Sequence, residues 1–185
     1  MRVAVDIDNV LCNTTTKVID YINEKLPSVN LKMEDITSYW IEGALPIEYR
    51  WVVEMAFEDR AMWKKVELID GAAVYLERLY NDGCEIYFAT ATTANNFRKK
   101  VRFLERSFPF FPKDYVRRHS ISIKNKQLLD VDYLVDDYTD NLTGRRRYKS
   151  ICFDYPWNQD FIDNGDTRRR AYNWEDVYRI IREGY

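Results

Sequence analysis

Three cysteines, Cys12, Cys84 and Cys152, are all that this 185-residue chain contains, and no metal-ligand spacing links them. An odd count, in or beside apolar strand-like segments, argues against a disulfide framework and reads as reduced core thiols. No apolar run reaches the length of a membrane span, and with a first strand read from Val3 no signal peptide is expected. No charge of one sign dominates. The 28 basic and 30 acidic residues leave a formal net charge of −2, which excludes a global attraction to nucleic acid or an anionic membrane. Internal repeats and low-complexity segments are absent too. These absences predict a cytoplasmic protein of one domain, or one domain with a modest insertion, long enough to bury a proper core.

What is present is ordinary in bulk, at 46% apolar and 31% charged residues, but specific in detail. Fourteen tyrosines and five tryptophans contribute to an aromatic fraction of 15%; packing accounts for most of them, and a few could line a pocket for a flat ligand. The most informative stretch is Met1 to Leu11. Val3, Val5 and Ile7 read as a buried strand, and Asp6 and Asp8 alternate with Ile7 near its carboxyl end, where open α/β sheets place their ligands. Two acids there repel each other unless a cation, a shared proton or a basic neighbour compensates.

Apolar positions Val18, Ile19, Tyr21, Ile22 and Leu26 recur at helical spacing, with Asn13 or Thr14 as N-cap. Met33 to Trp40 and Ile47 to Phe57 are predicted as two further helices, so residues 14–68 form a small helical insertion. Gly71 to Tyr80 is a helix stopped at Asn81-Asp82-Gly83, and Asn95 to Phe108 a basic amphipathic helix closed by Pro109 and Pro112. Glu85–Thr90, Ser120–Ile123, Tyr133–Asp136 and Ser150–Asp154 are the remaining strands. A last helix runs from Trp174 to Arg182, with Asn173 as N-cap and Asp176 at N3. Strands alternating with helices predict an α/β fold, a Rossmann-like doubly wound parallel sheet with helices on both faces.

In a parallel sheet the strand ends share one edge, so Asp6 and Asp8, Thr90, Lys126 and the pair Asp136-Asp137 converge. Singly each has a bland reading: a solvated strand end, a structural threonine, one lysine among several, an Asx turn. Their joint order fits phosphoryl transfer through an aspartyl intermediate. Asp6 is the expected nucleophile, and Asp8 the acid/base that protonates the departing oxygen and then deprotonates water. Mg²⁺, which prefers hard oxygen ligands, is expected on a carboxylate oxygen of Asp6, the main-chain carbonyl of Asp8 and a carboxylate from Asp137 or Asp136. Thr90 and nearby main-chain N–H groups would hold phosphoryl oxygens, and Lys126, selected over Lys124 by its distance from Asp136, would offset charge.

Asp6-Ile7-Asp8-Asn9-Val10, Thr90, Lys126 and Asp136-Asp137-Tyr138-Thr139-Asp140 resemble, in order, the four motifs of the haloacid dehalogenase superfamily. The segment from Lys126 to Asp137 is similar to the 5′(3′)-deoxyribonucleotidase (type C cytosolic 5′-nucleotidase) branch. So are Ile69-Asp70-Gly71-Ala72, Phe153 to Asn158 and the closing Arg-rich segment with Trp174. The resemblance implies a haloacid dehalogenase-like hydrolase core over residues 1–13 and 69–185 and a substrate-selecting helical cap over 14–68. It also implies Asp137 as the direct metal ligand with Asp136 beside it. One departure stands out: the branch often has Ser after the motif-two Thr, where this chain has Ala91, so only a main-chain contact to phosphate is expected there. Tyr39, Trp40 and Trp63 are candidates to contact a base, although they and Trp51 have a bland reading as cap core.

The expected activity is Mg²⁺-dependent hydrolysis of the phosphomonoester of (deoxy)nucleoside monophosphates. The rival substrates are sugar phosphates or other small phosphomonoesters. A receiver-type phosphoacceptor domain gathers similar residues, but it carries its acidic pair after the first strand and its phosphoacceptor later, the reverse of the order here. The partner is a small molecule, with no membrane and no nucleic acid polymer, since the triplets Arg145–Arg147 and Arg168–Arg170 read as solvated loops. A homodimer is left open.

Overall fold

The chain alternates strands and helices as its apolar periodicity requires. In order they are β1 (Arg2–Val5), α1 (Thr14–Lys25), α2 (Trp51–Glu58), α3 (Arg60–Lys65), α4 (Ala72–Asn81), β2 (Glu85–Thr90), α5 (Ala94–Ser107), α6 (Tyr115–Arg118), β3 (Ser120–Ser122), β4 (Tyr133–Asp136), α7 (Thr139–Leu142), β5 (Lys149–Phe153), β6 (Arg170–Ala171) and α8 (Trp174–Glu183). The computed structural model describes residues 1–162 and 169–184. Among the described residues the named strands all pair in parallel, in the sheet order β3-β2-β1-β4-β5-β6. The order reverses between β1 and β4, so the crevice at their carboxyl ends is the topological switch point where such sheets bind ligands.

Register explains the packing. Val3 and Val5 sit opposite Ile86 and Phe88 on one side and Tyr133 and Val135 on the other, and all six join one large apolar cluster with Leu76, Leu104, Trp174 and Ile181. The alternate residues Ala4, Ala89, Leu134 and Cys152 face the opposite side, where the cluster is smaller and is closed by Leu129, Leu142, Tyr148 and Phe161. Helices α4, α5 and α8 thus cover the face with the larger cluster, and α7 and turns cover the other.

Between Cys12 and Leu68 the chain leaves the sheet and returns through a short antiparallel clip. Asn13 N–H donates to Glu67 O at 3.1 Å, Glu67 N–H donates to Asn13 Oδ1 at 2.9 Å, and Ile69 N–H donates to Leu11 O at 2.9 Å. Asn13 stands at the N-cap of α1 as expected, but its side chain is used in the clip and makes no cap bond. Asn9 Oδ1 instead accepts from Thr15 N–H at 3.0 Å.

The helix predicted over Met33 to Trp40 is also corrected, to a 3-10 turn at Met33–Asp35 followed by irregular chain. Short polar side chains there compete with helical bonding: Asp35 Oδ2 accepts from Lys32 N–H, and the Ser38 hydroxyl donates to Trp40 O. The helix predicted over Ile47 to Phe57 opens as a 3-10 turn at Ile47–Tyr49 and becomes α2 at Trp51.

Gly71 caps α4 at φ 79°, where an added Cβ would meet Trp174 Cβ at 3.3 Å. Trp174 in turn donates from Nε1 to Val10 O at 2.8 Å, tying the last helix to the loop after the first aspartates. Asn173 caps α8 as expected, accepting from Asp176 N–H. Arg170 corrects the solvated-loop expectation for its triplet. From β6 it donates to Asp154 Oδ1 at 2.7 Å and to Asn158 Oδ1 at 2.9 Å, while Arg168 lies outside the described residues. Among the described residues, no helix is long and apolar enough to cross a membrane.

Candidate active site

Asp6 extends the β1 ladder by one bond, its N–H donating to Val135 O at 2.9 Å, and this fixes its carboxylate at the switch point. Lys126, in a 3-10 turn after β3, reaches across to it. The ammonium lies 2.6 Å from Asp6 Oδ1 and 2.6 Å from Asp136 Oδ2, with only 2% of the residue exposed. Burial alone would depress that lysine, but Asp136 and Asp6 outweigh it and push it up. For Asp6 burial wins. Despite Lys126, and with Asp136 and Asp8 adding repulsion, its carboxyl is pushed up to about 7.

The adjacent pair at the end of β4 divides its work. Asp136 is fully engaged: Oδ2 accepts from Lys126 and, at 3.0 Å, from Asn141 Nδ2, while Oδ1 accepts from Tyr138 N–H at 2.9 Å. Asp137 is not. Its Oδ2 accepts from Asn9 Nδ2 at 3.1 Å, but its Oδ1 is buried without a hydrogen-bond partner. Burial, then Asp136 and Asp6, hold its carboxyl well above the usual range. Carboxylate oxygens of Asp6, Asp136 and Asp137 lie within 4.8 Å of one another. An all-oxygen, acid-rich set with an orphaned buried oxygen fits a hard divalent cation such as Mg²⁺.

Asp8 stands apart from that cluster, with Oδ1 accepting from Thr14 Oγ1 at 2.7 Å and Oδ2 from Lys100 Nζ. Thr90, at the end of β2, is 1% exposed and also bonds Lys100. Both open into a cavity of about 760 Å³, which Asp6, Ala91, Lys126 and the exposed Lys124 also line. On the inserted segment Tyr39 stacks on Tyr138 with centroids 3.9 Å apart, and Trp40 meets Tyr39 edge-on. Both line the cavity. Burial and then Asp137, Asp6, Asp136 and Asp8 push the Tyr39 phenol up, and it shares the cavity wall with Asp6 and Asp8. Trp63 is different. It is 8% exposed among the apolar residues of the insertion, gives its Nε1–H to Phe57 O at 2.7 Å, and is absent from the cavity wall. Its expected contact with a base is corrected to a packing role.

Residues that sequence reasoning missed complete the site. Asn9, at φ 58°, links Asp137 to the start of α1. Asn158, 1% exposed, donates to Asp137 O at 2.9 Å and Phe153 O at 2.8 Å. Lys100 carried a signal: Asn96, Lys100 and Leu104 repeat at four-residue spacing on the buried face of α5, where a lysine is out of place.

This sheet order, with acids at the ends of β1 and β4, is a haloacid dehalogenase-like α/β fold. A haloacid dehalogenase family hydrolase from Deinococcus radiodurans superposes with a TM-score of 0.68 at 15% identity, covering 98% of this chain and 95% of that one. A haloacid dehalogenase-like protein of unknown function from Agrobacterium tumefaciens gives 0.66 at 14%, covering 99% and 98%. The chain belongs to the 5′ nucleotidase, deoxy (pyrimidine), cytosolic type C family, whose model matches residues 1–184, and it is a phosphoric monoester hydrolase. Similar relatives are proteins provisionally named 5′(3′)-deoxyribonucleotidase. One from Staphylococcus epidermidis is 28% identical over 178 residues (95% of this chain, 93% of the relative), and one from Staphylococcus aureus 25% over 180 residues (95% and 92%).

Proposed function

We propose that this phosphatase hydrolyses (deoxy)nucleoside monophosphates in a Mg²⁺-dependent reaction through a phosphoaspartate on Asp6. The observation that carries the mechanism is the orphaned Oδ1 of Asp137 beside Asp6, with Asp136 already saturated by Lys126, Asn141 and Tyr138. Asp6 and Asp137, with the main-chain carbonyl of Asp8, would hold the ion. When bound, Mg²⁺ offsets the negative charge of the carboxylates and the phosphoryl group.

The chain's own residues do the rest. An oxygen of Asp6 attacks phosphorus, the ester P–O bond breaks, and its electron pair goes to the leaving oxygen, which takes a proton from Asp8. Water then gives a proton to Asp8 and attacks phosphorus. The acyl-phosphate bond breaks, and inorganic phosphate leaves with Asp6 restored. Lys126 holds Asp6 Oδ1 in place, and the Thr90 hydroxyl faces the phosphoryl oxygens. Residues 14–68 act as a cap, with Tyr39 and Trp40 facing the part of the substrate beyond the phosphate. The nucleotide reading is supported by family membership and by the names of the staphylococcal relatives.

The test is a nucleotide and sugar-phosphate panel with Mg²⁺ or EDTA, run on wild type and Asp6→Asn. Nucleotides should give the highest kcat/KM, and EDTA or Asp6→Asn should remove at least about 10³-fold of the rate, since the covalent route is lost. Turnover by Asp6→Asn near the wild-type level would sink the mechanism.

A further inference from the structure

Among the described residues, the proposed reaction leaves the buried Lys100 unused. Lys100 is 3% exposed on α5, and its Nζ donates both to Asp8 Oδ2 and, at 2.9 Å, to Thr90 Oγ1. The ring of Trp63 lies behind it, with the centroid 5.8 Å from Nζ. We propose that Lys100 is a positioning residue that sets the Asp8 carboxyl and the Thr90 hydroxyl for phosphoryl transfer. The inference rests on the phosphatase reading above.

Donor chemistry carries the argument. An ammonium donates hydrogen bonds and accepts none, so Thr90 Oγ1 is the acceptor in this contact. The Thr90 proton must therefore point elsewhere, and Thr90 lines the cavity. Asp8 is clamped from two separate elements, Thr14 of α1 on Oδ1 and Lys100 of α5 on Oδ2, which fixes the plane of its carboxyl group. Stability alone does not call for a lysine here. Its neighbours on the same helical face include Leu104, and an apolar side chain of equal volume would pack without a desolvation cost. Lys126 does not duplicate the role, because its two carboxylate partners are Asp6 and Asp136.

If Lys100 acts through Asp8, its loss should hurt most where the leaving group needs a proton. The alkoxide of a nucleoside requires one, and p-nitrophenolate departs without it. The quantity to measure is kcat/KM, which reports steps up to departure of the leaving group, for deoxyuridine 5′-monophosphate and p-nitrophenyl phosphate with wild type and Lys100→Met. General-acid assistance is worth about 10²–10⁴-fold, so the nucleotide value should fall at least about 10-fold further than the nitrophenyl value. Equal losses on both substrates would overturn the inference and leave the phosphatase reading standing. A wild-type enzyme silent on both would overturn that reading, and the inference with it. The ratio does not depend on the fraction of folded protein. Should Lys100→Met fail to fold, Lys100→Arg is expected to shift the ratio in the same direction, because a planar guanidinium cannot reproduce both contacts. An unchanged ratio in that variant also counts against the role.

Discussion

Asp6 and Lys126 touch each other at 2.6 Å, yet replacing them should have opposite effects on stability. Asp6→Asn removes one of three clustered acids and leaves Lys126 paired with Asp136, so the protein should stay as stable as wild type or become more stable while losing turnover. Lys126→Met leaves two buried carboxylates facing each other without their cation, and breaking such a pair costs about 3–5 kcal/mol. Urea unfolding of both variants checks this; a Lys126→Met protein as stable as Asp6→Asn contradicts it. At this scale the sequence was most legible where chemistry is local. Asp6 and Asp8 announce themselves by interrupting an apolar run just beyond β1, and the spacing to Asp136 picks Lys126 over the exposed Lys124. Partners brought in from other elements were not legible. Asn9 needs a left-handed backbone to reach Asp137, and Asn158 acts on a main-chain carbonyl 21 residues away in sequence.

The elements divide in the same way. Strands with their own apolar run, such as Glu85–Thr90 and Tyr133–Asp136, match their expected bounds, while β6 has only Arg170 and Ala171 and no pattern to read. The insertion is where sequence said least, because aromatic residues mark both a core and a cavity wall. Its tryptophans make the distinction testable. Trp40 is 64% exposed at the cavity, so Trp40→Ala should change stability by less than about 0.5 kcal/mol while raising KM for nucleotides. Trp63 is 8% exposed and hydrogen-bonded to Phe57 O, so Trp63→Ala should cost about 3–5 kcal/mol. Thermal melts and steady-state kinetics separate the two. A KM unchanged by Trp40→Ala would remove that residue from the substrate site. A third change probes the turn after β5. Asn158→Ala strands the carbonyls of Asp137 and Phe153, at about 1–3 kcal/mol each, and should lower the affinity for Mg²⁺ by loosening Asp137.

For the whole molecule, the proposed site should make the acidic switch point couple folding to pH and to metal. The Asp6 carboxyl is pushed up from 3.8 to about 7 in the fold, and Asp137 is raised well above 3.8 by burial and then by Asp136 and Asp6. Between the unfolded and folded pKa values the native state binds more protons than the unfolded chain. The contribution of these groups to stability is therefore complete below about pH 4 and is lost as pH rises towards 7. In EDTA, Tm should fall from pH 5 to pH 8. Mg²⁺ held as proposed would compete with those protons, so its stabilisation should grow over the same interval. At 100 times its Kd it is worth about 2.7 kcal/mol, or on the order of 5–10 °C for a chain of this size. Asp137→Asn replaces the buried acid by a neutral amide, which should flatten the slope in EDTA and remove most of the Mg²⁺ shift. Differential scanning fluorimetry across pH, with and without Mg²⁺, reads all three quantities. A Tm in EDTA that rises towards pH 8, or a Mg²⁺ shift of equal size at both ends, would mean that the acids at the ends of β1 and β4 are compensated by something other than a cation.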